Sequence, residues 1–161
     1  MNKFIIAVFL ACLPFLLLGQ ASGKNSVEIS AYDFVHKTSP YVNIQDFLAG
    51  INCEVCSPSK YIKVTAGTFI SLNDGLNDLS ARVNGFYTFS PDAAARVYAC
   101  LTGASGISLS NGAFFADGEA KLGGELKIDR EVIFIEGGAA LRVPNGSLHF
   151  IVNSGIRAYL F

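Results

Sequence analysis

One short pattern occurs three times in this chain: an aliphatic triplet, two turn-type residues, a Gly and then a small or apolar residue. The copies are Ile70-Ser71-Leu72-Asn73-Asp74-Gly75-Leu76, Ile107-Ser108-Leu109-Ser110-Asn111-Gly112-Ala113 and Ile133-Phe134-Ile135-Glu136-Gly137-Gly138-Ala139. Each leads to a basic-aliphatic closing element: Arg82-Val83-Asn84-Gly85, Lys121-Leu122-Gly123-Gly124 and Arg142-Val143-Pro144-Asn145-Gly146. A strand-plus-Gly unit of this length buries too little surface to be stable alone, so its copies must stack or pair into a common core. The pattern is a statement about architecture and carries no chemistry.

The rest of the chain is read against that rhythm. From Gly106 onward, short strand segments alternate with Gly-bearing turns, and Gly supplies the positive φ that tight corners need. Asn145-Gly146 is a two-residue hairpin signal. Between the first two copies, Ser90-Pro91-Asp92 offers an N-cap, a Pro at the first helical position and an acid in the first turn. The Ala-rich stretch that follows, closed by Gly103, predicts an inserted helix over about 91–101. Ile44, Phe47 and Leu48, with Asn43 as cap and Gly50 as stop, predict one or two further helical turns. Cys53 to Pro58 reads as a loop. The expected fold is mainly β: a small β-solenoid or a meander of short strands with Gly corners, plus the inserted helix.

Residues 1–23 read as a signal peptide. Lys3 is the basic flank, Phe4 to Leu18 is an apolar run broken at Pro14, and Gly19-Gln20-Ala21 and Ala21-Ser22-Gly23 are small-x-small cleavage signals. Residues 24–161 then form a single β-rich repeat domain. Without Lys3 the 12 basic residues become 11, against 13 acidic, a formal charge of −2. No basic stripe exists, which argues against nucleic acid as a partner. The predicted destination is export, to the periplasm, cell surface or extracellular space.

An exported protein with three remaining cysteines, Cys53, Cys56 and Cys100, is expected to form one disulfide and keep one thiol. The partner choice stays open. Cys53-x-x-Cys56 lacks the following helix that a redox pair uses to lower its thiol pKa, and adding Cys100 and His36 does not produce zinc-site spacing. Asn73-Asp74-Gly75 is turn chemistry without the alternating ligands and closing Glu of a calcium loop. Ser residues are present without a nucleophile elbow. No catalytic, metal or cofactor residue is assigned, and an enzyme is not expected. Between Leu148 and Phe150, His149 should face the opposite side of its strand from both neighbours. By the same alternation, Phe86-Tyr87 and Phe114-Phe115 should each send one ring inward and one out.

The closing copies, Ile133-x-Ile135-x-x-Gly138 followed by Asn153-Ser154-Gly155-Ile156-Arg157-Ala158-Tyr159, resemble a short β-strand/Gly repeat of exported Bacteroidetes proteins, whose units stack like coathangers. Leu18-Gly19-Gln20 is similar to signal ends of that phylum. The resemblance spans residues 66–89 and 107–161, and departs from the repeat at Phe134, at the inserted helix and in lacking a polar sorting tail. It implies a cell-surface accessory module without catalytic residues.

The leading functional expectation is therefore an exported non-catalytic β module for surface binding, adhesion or envelope structure, with a protein or glycan as partner, or itself. One alternative is a self-assembling structural protein that uses Ile156, Ala158, Tyr159, Leu160 and Phe161 as an uncapped apolar edge. The other is a small outer-membrane β-barrel, suggested by Tyr159 and Phe161 at alternating terminal positions but opposed by segments that look too short for lipid-facing strands.

Overall fold

The computed structural model describes residues 24–35, 46–72, 76–143 and 146–160. They form eight strands: β1 (Asn25–Val35), β2 (Asp46–Ser59), β3 (Ile62–Leu72), β4 (Leu76–Thr88), β5 (Ala95–Ser108), β6 (Phe114–Ile128), β7 (Glu131–Val143) and β8 (Ser147–Tyr159). Each pairs antiparallel with the next, and β8 returns to β1, from Ser26 opposite Tyr159 to Val35 opposite Phe150. The sheet is a closed up-and-down meander, and closure leaves no strand edge unpaired. A solenoid is thereby excluded, and among the described residues there is no helix.

Both predicted helices are strands. Residues 95–101 open β5, in register with β6 from Ala95 opposite Leu126. The start signal at Ser90-Pro91-Asp92 serves a turn instead, with the Ala93 amide donating to the Ser90 carbonyl. Local propensity loses here because Val97, Ala99 and Leu101 alternate with Tyr98, Cys100 and Thr102, and pairing on both sides rewards a period of two. Phe47 and Leu48 likewise lie in β2, opposite Leu72 and Ser71; Asn43 and Ile44 lie outside the described residues. The predicted loop at Cys53 to Pro58 is the far end of β2, with register shifts after Glu54 and Cys56.

The Gly corners are also corrected. Among described glycines only Gly112 and Gly146 have positive φ; the others lie within strands. Some are there for steric reasons. A Cβ on Gly123 would sit 2.7 Å from Tyr98 Cζ, and one on Gly50 would clash with Phe69 Cδ1. The narrow lumen of an eight-strand barrel takes a large inward ring only where the neighbouring strand gives way. The three repeat copies are not equivalent units: the first bridges β3 and β4, the second bridges β5 and β6, and the third lies wholly within β7.

The C-terminal strand offers no open edge. Ile156 pairs with Ile29 on one side and Ile133 on the other, and Ala158 with Val27 and Glu131. The Leu160 amide donates to the Asn25 carbonyl, closing the seam; Phe161 and residues 1–23, the predicted signal peptide, lie outside the described residues. The disulfide expectation is corrected as well, since Cys53, Cys56 and Cys100 are all unbridged. Cys53 and Cys100 are buried in different strands while Cys56 is exposed. A thiol titration of denatured, unreduced chain 24–161 should therefore find three thiols; a count of one would restore a bridge.

Candidate functional site: a polar lumen, an apolar exterior and a basic mouth

The strand sequences impose an unusual distribution of polarity. β6 reads Ala116-Asp117-Gly118-Glu119-Ala120-Lys121-Leu122, and alternate residues of a strand face opposite sides. Asp117, Glu119 and Lys121 are buried in the lumen, whereas Leu122 is 63% exposed. The same holds around the barrel. Leu101 is 69% exposed and Ile135 60%, while Glu136 and Arg157 are 3% and 5% exposed. No outward position of β5 or β6 carries a charge, and β7 carries one only at its first residue, Glu131. The protein is polar inside and apolar outside, the reverse of a water-soluble fold.

Among the described residues, outward aromatics are confined to the two ends. Tyr61, Tyr87 and Phe89 cluster at the end where β2, β4, β6 and β8 finish, with centroids 6.4 Å apart for Tyr61–Tyr87 and 5.3 Å for Tyr87–Phe89. Phe47, Phe114 and Phe150 lie toward the other end. Two aromatic girdles flanking an apolar band are what the interfaces of a bilayer select. The strands have 11 to 15 residues, enough for the roughly 9–11 needed to cross a hydrocarbon core. No helix among the described residues is long and apolar enough to cross a membrane, which has no bearing on crossing by strands.

The lumen is filled in layers. Toward the end opposite the termini, Leu48, Phe69, Ala140 and Ile151 form an apolar layer. Below it lies a charged layer. Lys121 Nζ is 3.0 Å from both Glu119 Oε2 and Glu136 Oε2. Tyr98 Oη donates to Glu136 Oε1 at 2.7 Å, and Asn153 Nδ2 donates to Glu136 Oε2 at 3.3 Å. Arg82 reaches Glu119 at 3.5 Å. Thr102 donates to Asn84, which donates to Thr65. Closer to the termini, Arg157 clasps Glu28 Oε2 through Nη2 at 2.8 Å and Nε at 2.9 Å, with its guanidinium 4.9 Å from the Phe134 ring centroid. Buried charges persist only when paired and hydrogen-bonded. Each of these charges has an oppositely charged partner.

At the terminal end the lumen widens into a cavity of about 430 Å³. Six cations line it: Lys24, Lys60, Lys63, Arg96, Lys127 and Arg130. Three carboxylates, Glu54, Glu125 and Asp129, share the wall. In the β2–β3 turn, the neighbouring Asp92 carboxylate holds the Lys60 ammonium above its ordinary pKa.

The sequence-stated alternations hold. His149 faces in while Leu148 and Phe150 are exposed, Phe86 is buried beside exposed Tyr87, and Phe114 is exposed beside Phe115, whose ring meets Arg142. No group of three His, Cys, Asp or Glu among the described residues is placed to hold a metal ion. The lumen pairs and the basic mouth were not anticipated from sequence. Their signal is the strict alternation of charged with apolar residues in β6 and of Glu136 and Arg157 with aliphatic neighbours.

No family model and no characterised relative matches the chain. Among solved structures, it is similar to the Yersinia pestis outer membrane protein Ail, whose backbone was determined in a phospholipid bilayer nanodisc. That likeness has a TM-score of 0.42 and 15% identity, and covers 84% of this chain and 99% of that one.

Proposed function

We propose that this chain is a membrane-spanning β-barrel of the outer-membrane type, closed to ion flow, serving as a non-catalytic envelope component. A single observation carries the reading: polar side chains, with paired charges from β1, β4, β5, β6, β7 and β8, face the lumen, while the described outward positions are mainly aliphatic and bounded by aromatics. Water offers no reason to expose Leu101, Leu122 and Ile135 on one continuous wall; hydrocarbon does. The signal segment supplies the export such a barrel needs.

The connections support an orientation. Two of the three connections at the terminal end, 60–61 and 129–130, have two residues and the third, 89–94, has six, whereas the longest connection, the ten residues 36–45, joins strands at the other end. Barrels of this type keep short turns in the periplasm and longer loops outside. The termini and the basic mouth then face the periplasm, and contacts with surface partners fall to the connections between β1 and β2 and between β5 and β6.

The test is extraction and reconstitution of the mature chain. It should require detergent, show a β-type far-ultraviolet spectrum and migrate differently in SDS before and after boiling. In planar bilayers it should give no discrete conductance steps. A monodisperse species obtained without detergent would overturn the membrane reading, and steady conductance would overturn the closed lumen.

A further inference from the structure

We infer that the barrel mouth at the terminal end is an oxyanion-binding vestibule, built to take a phosphate group. The inference rests on the barrel mouth itself and holds independently of what surrounds the outer wall. Of the six cations there, two are already engaged: Lys60 by Asp92, and Arg96 by Glu125 at 3.4 Å. Lys24, Lys127 and Arg130 have no carboxylate within ion-pair distance among the described residues, although Glu54 and Asp129 share the cavity wall. Lys63 has no carboxylate within ion-pair distance among the described residues. Its ammonium donates to the Tyr159 hydroxyl at 3.3 Å and sits 4.9 Å from the Phe86 ring centroid.

This arrangement contrasts with the layers above it. In the lumen each cation is matched to a carboxylate; at the mouth the matching stops within one turn of chain. A surplus of cations around a concave, partly walled space focuses its field on the centre and raises the local anion concentration. The cavity of about 430 Å³ admits a phosphorylated group the size of a sugar phosphate or a lipid headgroup. Lys and Arg donors converging from β3, the end of β6 and the β6–β7 turn can bind several oxygens of one group at once, and charge-assisted bonds are the strong ones. Aromatic faces at Phe86 and Tyr159 hold Lys63 without neutralising it.

Phosphate chemistry is shared by soluble phosphates and by phospholipid headgroups, so the probe must separate them. The full mature chain, refolded in uncharged maltoside micelles, is titrated calorimetrically at low salt with inorganic pyrophosphate and, separately, with glycerophosphoglycerol, the deacylated diester headgroup. Saturable one-site binding of either supports the vestibule. Tighter pyrophosphate binding identifies a soluble phosphate as its ligand, and tighter diester binding a headgroup. Lys127→Gln with Arg130→Gln should weaken binding by roughly tenfold or more, because two charge-assisted contacts are lost. Lys60→Gln should change it by less than about twofold, since its charge is already countered by Asp92. Both altered sites are exposed and near turns, and the SDS mobility shift confirms folding in each variant. Raising salt to about 1 M, where the screening length falls to about 3 Å, should abolish binding. Absence of saturation with both probes, an unchanged affinity in the double variant, or an equal loss in Lys60→Gln would each overturn the proposal.

Discussion

Replacing Leu122 with Arg is expected to destabilise the bilayer-inserted barrel by about 2–4 kcal/mol, the cost of a cation on the lipid face near the midplane. Leu122 lies near the middle of β6 and is 63% exposed, with outward Ala99 opposite on β5 and outward Gly137 opposite on β7. Nothing outside the barrel wall is available to pair the guanidinium, and its side chain must snorkel or draw water and headgroups inward. The same residue on a soluble β module would face water, and the substitution would fall within about 0.5 kcal/mol of neutral. Leu122→Ala sets the baseline for lost side-chain volume. Denaturant titration of vesicle-inserted protein, followed by far-ultraviolet dichroism because the chain has no Trp, reads the difference. A cost for Arg no greater than that for Ala would remove lipid from the outer wall. A matched change at Glu131, at the end of β7, should cost far less, because the penalty for charge fades toward the interface.

Much of the fold was legible, and the parts that were not fail for one physical reason. The β content, the antiparallel pairing of β7 with β8 and the split of Phe86-Tyr87 between two faces follow from alternation and turn chemistry alone. Strand length did not follow, because in-strand glycines were read as corners. Gly123-Gly124 and Gly137-Gly138 look like breaks in a one-dimensional pattern, yet Gly123 is the space into which Tyr98 packs from the adjacent strand. That contact is set by the register of β5 against β6, which no local window contains. Residues 91–101 failed for a related reason: an Ala-rich run with a strong helix start also has period-two alternation, and two flanking strands decided between them. The lumen site was hidden by the assumption that polar positions face water. Asp117, Glu119 and Lys121 are spaced as a surface stripe would be, and only the apolar character of Ala116, Gly118, Ala120 and Leu122 on the other face tells which side is wet. Two-sided information of this kind, read over several strands, distinguishes an inverted barrel from an ordinary sheet.

Substituting Met for Lys121 should cost about 3–5 kcal/mol, the largest effect expected within the lumen, because it strands two buried carboxylates at once. Lys121 Nζ bridges Glu119 and Glu136 at 3.0 Å each, and the side chains of all three are at most 5% exposed. Arg82 also reaches Glu119, and Tyr98 and Asn153 also serve Glu136, so the carboxylates would keep hydrogen-bond donors but lose their shared ammonium. The penalty is therefore one of uncompensated charge, and neutralising one acid should reverse it. Glu136→Gln in the Lys121→Met background restores neutrality while keeping side-chain volume, because Arg82 still faces Glu119. That double variant should recover at least half of the loss, giving a coupling energy of about 2 kcal/mol or more in the corresponding mutant cycle. Chevron or equilibrium unfolding in micelles measures it. Additive effects across the cycle would mean that Lys121 and Glu136 are placed side by side without acting on one another, and that packing alone holds this layer together. A coupled result would mean that charge neutrality along the barrel axis is a condition of folding. It would also explain why the lumen gives up its surplus cations only at the mouth, where water and an oxyanion can reach them.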